Sequence, residues 1–160
     1  MASDELDKVE LPALEQLQSL GWSYVEGAQL SPDESDERSS WKDVVLEKRL
    51  NESLKRINPW INDENLRKVV RDLTKTIYSN LVEANQAIWT QINQSVSVMQ
   101  DLGKGNKSQT VHIIDFENIE NNEFLCTNQF KVSGVNQNII PDVMCFVNGM
   151  PLAVIECKSP

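Results

Sequence analysis

The chain has 160 residues, 40% of them hydrophobic, enough for one compact domain with a real core and too few for several. Its net charge of -9 argues against a protein that holds nucleic acid by its overall field. No run approaches the roughly 18 apolar residues of a membrane span, and the opening MASDELDKVELPALEQ lacks the regions of a signal peptide, so a soluble, cytoplasmic protein with no membrane partner is expected.

In chain order, Pro12 suits a first helical turn, Leu14, Leu17 and Leu20 recur at helical spacing, and Gly21 can supply a left-handed cap. WSYVEG reads as a short strand, and the acidic stretch from Ser31 to Ser40 as an exposed loop or linker, which sets a boundary between residues 1–40 and a domain over 41–160. The pair Ser40 and Asp43 looks like a capping box for a helix carrying Leu46, Leu50, Leu54 and Ile57, stopped by Asn58-Pro59. A second helix from about Asp63 places Leu66, Val69, Val70, Leu73 and Ile77 on one stripe, and a third covers Glu83 to Ile92. The basic residues between Lys48 and Lys75 read as solvated helix faces.

After Asn93 the period changes. VSVMQ, TVHIIDF, NEFLCTNQFKV, NIIPDVMCFV and LAVIECK are strand-like runs, and GKGNKS at 103–108 reads as a loop whose spacing does not fit a phosphate-binding motif. Helices first and strands afterwards predict an α/β fold with N-terminal helices packed on a mixed, largely antiparallel sheet. Cys126, Cys145 and Cys157 are odd in number and set in apolar runs, a pattern of neither disulfides nor zinc ligands. His112 begins a strand with no partner at a telling spacing and is given a structural role.

The end of the chain, PDVMCFVNGMPLAVIECKSP, is two strands around an Asn-Gly turn. A period of two puts Val154, Glu156 and Lys158 on one face. Asp142 joins them or not according to the turn. A two-residue loop pairs Val147 with Met150 and sets Asp142 opposite Ile155, on the other face. A three-residue loop pairs Phe146 with Met150 and sets Asp142 opposite Val154, diagonal to Glu156. Two carboxylates so placed repel unless a cation lies between them, and oxygen ligands suit Mg²⁺. Asp142 and Glu156 are therefore candidate metal ligands with Lys158 beside them, and the alternative reading is a surface salt bridge of Glu156 or Asp142 with Lys158.

These residues carry a resemblance. IIPDVMCFVNGMPLAVIECKSP resembles the PD-(D/E)xK restriction-endonuclease-like core, in particular that of the R (restriction, or motor) subunit of type I restriction-modification enzymes, and LQSLGWSYVEG, DERSSWKDVVLEKRLNESLKRINP, LVEANQAI and DFENIENNEFLCTNQFKV look like that family in the same order. The resemblance implies a Mg²⁺-dependent nuclease hydrolysing phosphodiester bonds of double-stranded DNA in the restriction of foreign DNA. It adds the backbone carbonyl of Cys157 as a third metal ligand, Lys158 as the group that orients the attacking water, and a helical glutamate near the metal, for which Glu47 is the candidate. It also implies methyltransferase (M) and specificity (S) subunits as partners, ATP used only by motor domains absent from this chain, and a nuclease domain truncated after Lys158. The alternative expectation is an inactive docking or structural module of the restriction complex.

Overall fold

The computed structural model of the protein describes residues 6–74, 80–134 and 136–158, organised as two compact units, one built from 1–48 and 123–160 and the other from 49–122. The chain leaves the first unit two residues into a helix and returns to it at Glu123.

In the first unit, a π-helical turn (Leu6–Glu10) runs into α1 (Leu11–Ser19), with Pro12 at its start and Gly21, at φ 93°, just past its end. Leu14 is the fully buried member of the expected stripe; Leu20 is 68% exposed because the helix has already ended. β1 (Ser23–Tyr24) lies parallel to β4 (Phe124–Asn128), which runs antiparallel to β7 (Val143–Val147), which in turn pairs antiparallel with β8 (Met150–Ile155). The sheet order β1-β4-β7-β8 makes β8 an edge strand. β7 is buried along its whole length, as a central strand covered on both faces must be. One face packs Cys126, Val143 and Cys145 against Leu14, with Leu17, Trp22 and Tyr24 around them; the other packs Leu125, Met144 and Phe146 against Leu30, Leu46 and Phe130. A small hairpin, β5 (Val132–Ser133) with β6 (Asn138–Ile139), stands apart from this sheet.

The segment 31–40 is a loop, but not an exposed one throughout. Arg38 is 3% exposed: its Nε donates to the Leu30 carbonyl at 2.9 Å, its Nη1 to the Asp43 carbonyl at 3.2 Å, and its guanidinium stacks 4.1 Å from the Phe130 ring and 5.1 Å from that of Trp41. A guanidinium can be buried where carbonyls take its protons and rings cover its faces. The Ser40/Asp43 signature also folds differently from expectation. Asp43 Oδ2 accepts from the Ser39 N–H and hydroxyl, which closes a local turn, and the helix begins only at Glu47.

In the second unit, the helix α2 (Glu47–Ile57) buries Leu50 and Leu54, and α3 (Asp63–Thr74) buries Leu66, Val69, Val70 and Leu73; Ile77 lies outside the described residues. α4 (Leu81–Gln94) is capped by Asn80, whose side chain accepts from Glu83 N–H at 2.9 Å. β2 (Val96–Asp101) and β3 (Asn106–Val111) form an antiparallel hairpin. The second strand therefore starts within the stretch read as a loop, and HIIDF is not strand. NKSQT is polar because both faces of the strand are largely exposed over these residues; pairing to β2, not an apolar pattern, holds it extended. Buried Asn58 grips the strand's end, donating to the carbonyls of Leu54 and His112 and accepting from His112 N–H.

Candidate metal centre

The register of the last hairpin is set by a route neither turn geometry anticipated. Asn148 and Gly149 both have positive φ, 54° and 80°, and form a two-residue turn with Val147 opposite Met150. On its own that turn would turn Asp142 away from Glu156. Phe146 still faces Pro151, but Cys145 faces Ala153, so Leu152 is an extra residue, a bulge in β8. Pro151 offers no N–H to the ladder, which weakens pairing where the bulge occurs, and an edge strand tolerates this. The remaining pairs run to Val143↔Ile155. Continued one step past that last pair, the register would put Asp142 opposite Glu156, on the same face.

A hydrogen bond beyond the last ladder pair supports that juxtaposition: Cys157 N–H donates to Asp142 Oδ2 at 2.7 Å. Asp142 is half-buried, Cys157 is buried at 4% exposure, and Glu156 and Lys158 are exposed. The Cys157 backbone thus lies against the Asp142 carboxylate, through its N–H. Exposure alternates over Glu156, Cys157 and Lys158, but Ala153, Val154 and Ile155 are all exposed, so the two-faced pattern expected along this strand is seen only past its end. Two carboxylates with open, solvent-facing surroundings fit a hard cation that keeps several waters, as Mg²⁺ does when bound by one or two carboxylates. Among the described residues no group of three or more His, Cys, Asp and Glu side chains is gathered in a metal-holding arrangement, so further ligands would be backbone oxygen or water.

Glu47 is not brought to this place. Leu46 N–H donates to the Gly149 carbonyl at 2.9 Å, which ties the start of α2 to the turn end of the β7–β8 hairpin. Asp142 lies five residues back along β7, roughly 16 Å at the rise of a strand. Glu47 instead lines a cleft of about 320 Å³ with Asp36, Arg38, Asp43 and Lys48. The glutamate at the Asp142 end is Glu10, which the sequence reading passed over. It is 3% exposed, and its carboxylate accepts from the side-chain amides of Asn128 and Gln129 at 3.0 and 2.9 Å. Gln129 N–H in turn donates to the Asp142 carbonyl at 3.1 Å. A signal existed: Glu10 shares its helical face with Leu14 and Leu17, the buried side of α1.

His112 has the partner that spacing did not reveal. Its Nδ1 lies 3.1 Å from Ser95 Oγ, and both line a cavity of about 350 Å³ with Asp115. Asp115 is committed elsewhere, accepting from the N–H groups of Glu117 and Asn118 and from Asn121 Nδ2, bonds that hold its carboxyl below the usual range. The arrangement is therefore not a Ser-His-Asp relay. Among the described residues no helix is long and apolar enough to cross a membrane.

Comparison with known proteins agrees with the resemblance. A family model described as "Type I restriction enzyme R protein N terminus" matches residues 3–160. A relative from Methanocaldococcus jannaschii, "Putative type I restriction enzyme MjaIXP endonuclease subunit", is 36% identical over 95% of this chain and 15% of its own length. The "Type I restriction enzyme HindI endonuclease subunit" of Haemophilus influenzae is 34% identical over the same shares of each. A second protein from Methanocaldococcus jannaschii, "Putative type I restriction enzyme MjaVIIIP endonuclease subunit", is 33% identical over 90% of this chain and 13% of its own. The chain spans about 15% of the length of the first two of these relatives. With a model covering nearly every residue, this chain belongs to the family of type I restriction enzyme R protein N-terminal regions.

Proposed function

We propose that this chain is the Mg²⁺-dependent DNA endonuclease domain of a type I restriction enzyme R subunit, with a PD-(D/E)xK core. The observation that supports the reading is the bulged register of β8, which, continued one step past its last pair, would put Glu156 opposite Asp142 with Lys158 on the same face. The names of the relatives, all endonuclease subunits, support it. In this reading Asp142 and Glu156 hold the cation, with the Cys157 carbonyl as a third oxygen. A bound Mg²⁺ would supply Lewis-acid polarisation of a phosphodiester and a lower pKa for a bound water. Asp142 is oriented by the Cys157 N–H, so its carboxylate stays fixed as ligands exchange. Lys158, exposed, orients the attacking water and offsets negative charge growing on the phosphate oxygens. The leaving strand end takes a proton from solvent.

In the whole protein this cutting would be coupled to ATP-driven DNA translocation by other domains and directed by the M and S subunits, with double-stranded DNA as substrate. Calorimetry with Mn²⁺, which replaces Mg²⁺ and gives a stronger signal, tests the reading. The wild type should bind one ion, and Asp142→Asn and Glu156→Gln should each weaken binding by about tenfold or more. Equal binding by all three proteins rejects the metal site and leaves a docking module as the better description.

A further inference from the structure

Glu10 is a buried carboxylate with both oxygens occupied, and the mechanism above makes no use of it. Its partners are the two residues at which β4 ends. Asn128 pairs with Val143 in the ladder, donates through Nδ2 to Glu10 Oε1, and accepts through Oδ1 from the Tyr24 hydroxyl at 2.8 Å. Gln129 donates through Nε2 to Glu10 Oε2. Gln129 has φ 50°, a left-handed conformation that a residue other than glycine adopts only when its surroundings hold it there. From that conformation its N–H reaches the Asp142 carbonyl, the bond at which β4 and β7 part.

The same corner is pinned from a second side. Gly27 packs so closely that a Cβ on it would run into the Asn128 carbonyl oxygen and the Gln129 backbone. The corner therefore has no slack, and its position is set by Glu10 on one side and the Gly27 backbone on the other. The Tyr24 phenol is held protonated, first by burial and then by the negative charges of Glu26 and Glu10, so it stays a donor and fixes which way the Asn128 amide points. With Asn128 so oriented, Glu10 meets two NH₂ groups. Only a carboxylate accepts from both; a glutamine would set its own NH₂ against one of them.

We propose that Glu10 is a positioning residue for Asp142: it clamps the Asn128–Gln129 corner, and through the Gln129 N–H it fixes the backbone from which the Asp142 carboxylate reaches the Cys157 N–H and the cation. This rests on the metal-site reading and adds to it a residue from the other end of the chain. The connected bonds run from Glu10 through Gln129 and Asp142 to Cys157, each between 2.7 and 3.1 Å.

Two measurements on the same variants test it. Amide hydrogen exchange followed by NMR on wild type and Glu10→Gln should show lost protection at both Gln129 and Cys157, with the Cys126 and Cys145 amides in the ladder unchanged. Mn²⁺ calorimetry on Glu10→Gln, Asp142→Asn and the double variant should show an affinity about tenfold lower for Glu10→Gln alone and no further loss when it is added to Asp142→Asn. An additional loss in the double variant would mean that Glu10 meets the ion itself, and would overturn the positioning role. So would unchanged protection at Cys157 in Glu10→Gln. If the wild type binds no Mn²⁺, the metal-site reading fails by itself, and the exchange of Gln129 and Cys157 still decides whether Glu10 orders Asp142. Should Glu10→Gln not fold, Gln129→Gly keeps the left-handed backbone, removes one amide clamp and must give the same paired loss at residues 129 and 157.

Discussion

At the scale of single residues, the first unit uses burial in two opposite ways. Arg38 keeps its charge inside because two carbonyls and two aromatic faces replace water around it. A lysine has neither the planar fork nor the stacking face, so Arg38→Lys should destabilise the protein by about 1–3 kcal/mol, read from urea midpoints. Cys126 and Cys145 stay neutral instead. They face each other across β4 and β7, and burial pushes the Cys126 thiol up to about 11, with Cys145 raised in the same direction. The folded state holds these protons more tightly than the unfolded chain. The contribution is thus complete below the ordinary thiol value near 9 and is lost as pH rises towards 11. Denaturation midpoints should therefore fall across that interval, and the fall should shrink in Cys126→Ala; an equal fall in both proteins would place its origin elsewhere.

At the scale of the element, the β7–β8 hairpin decides which side chains share a face. Asn148 is fully buried and closes the turn by accepting from Glu123 N–H at 2.8 Å while its own N–H donates back to the Glu123 carbonyl at 2.9 Å. The turn is therefore set firmly at two residues, and all adjustment of register falls on Leu152. This yields an uncommon expectation. Deleting Leu152 removes the bulge but leaves Ala153 opposite Cys145 and Glu156 opposite Asp142, so Mn²⁺ binding should survive. Inserting one alanine after Ala153 moves Glu156 one place further on and turns it from Asp142, so binding should disappear. Calorimetry on the two variants reads the difference, and the reverse order would show that the juxtaposition does not depend on register.

At the scale of the whole chain, charge is distributed by unit. Residues 49–122 hold nine basic and nine acidic residues, while the unit carrying Asp142 and Glu156 holds six basic and fifteen acidic, the full net charge of -9. Two consequences follow from such a field. Self-repulsion is screened by salt over a Debye length of about 8 Å at physiological ionic strength, so the thermal midpoint should rise with added NaCl, measured by circular dichroism. Duplex DNA should bind this chain alone more weakly than on the order of micromolar at physiological salt, since an acidic body opposes phosphate approach; tighter binding would show a local basic surface strong enough to overcome it. On the proposed nuclease reading, an acidic body of this kind would discourage cutting of DNA that other parts of the protein have not delivered.

Local chemistry made some of this legible. VMCFV is an unbroken apolar run and is the buried central strand; Asn-Gly is the two-residue turn; Leu66, Val69, Val70 and Leu73 are the buried stripe of α3. In each case neighbours along the chain already contain the cause: steric preference, positive φ, or a repeat that matches the helix. The bulge at Leu152, the buried Arg38, the polar strand β3 and the clamp formed by Glu10 have their causes in residues far along the chain. Glu10 and Gln129 are bonded across 119 residues. Which carboxylate faces solvent and which is held inside is an outcome of packing, because the cost of burying a charge depends on donors that only the folded chain assembles around it.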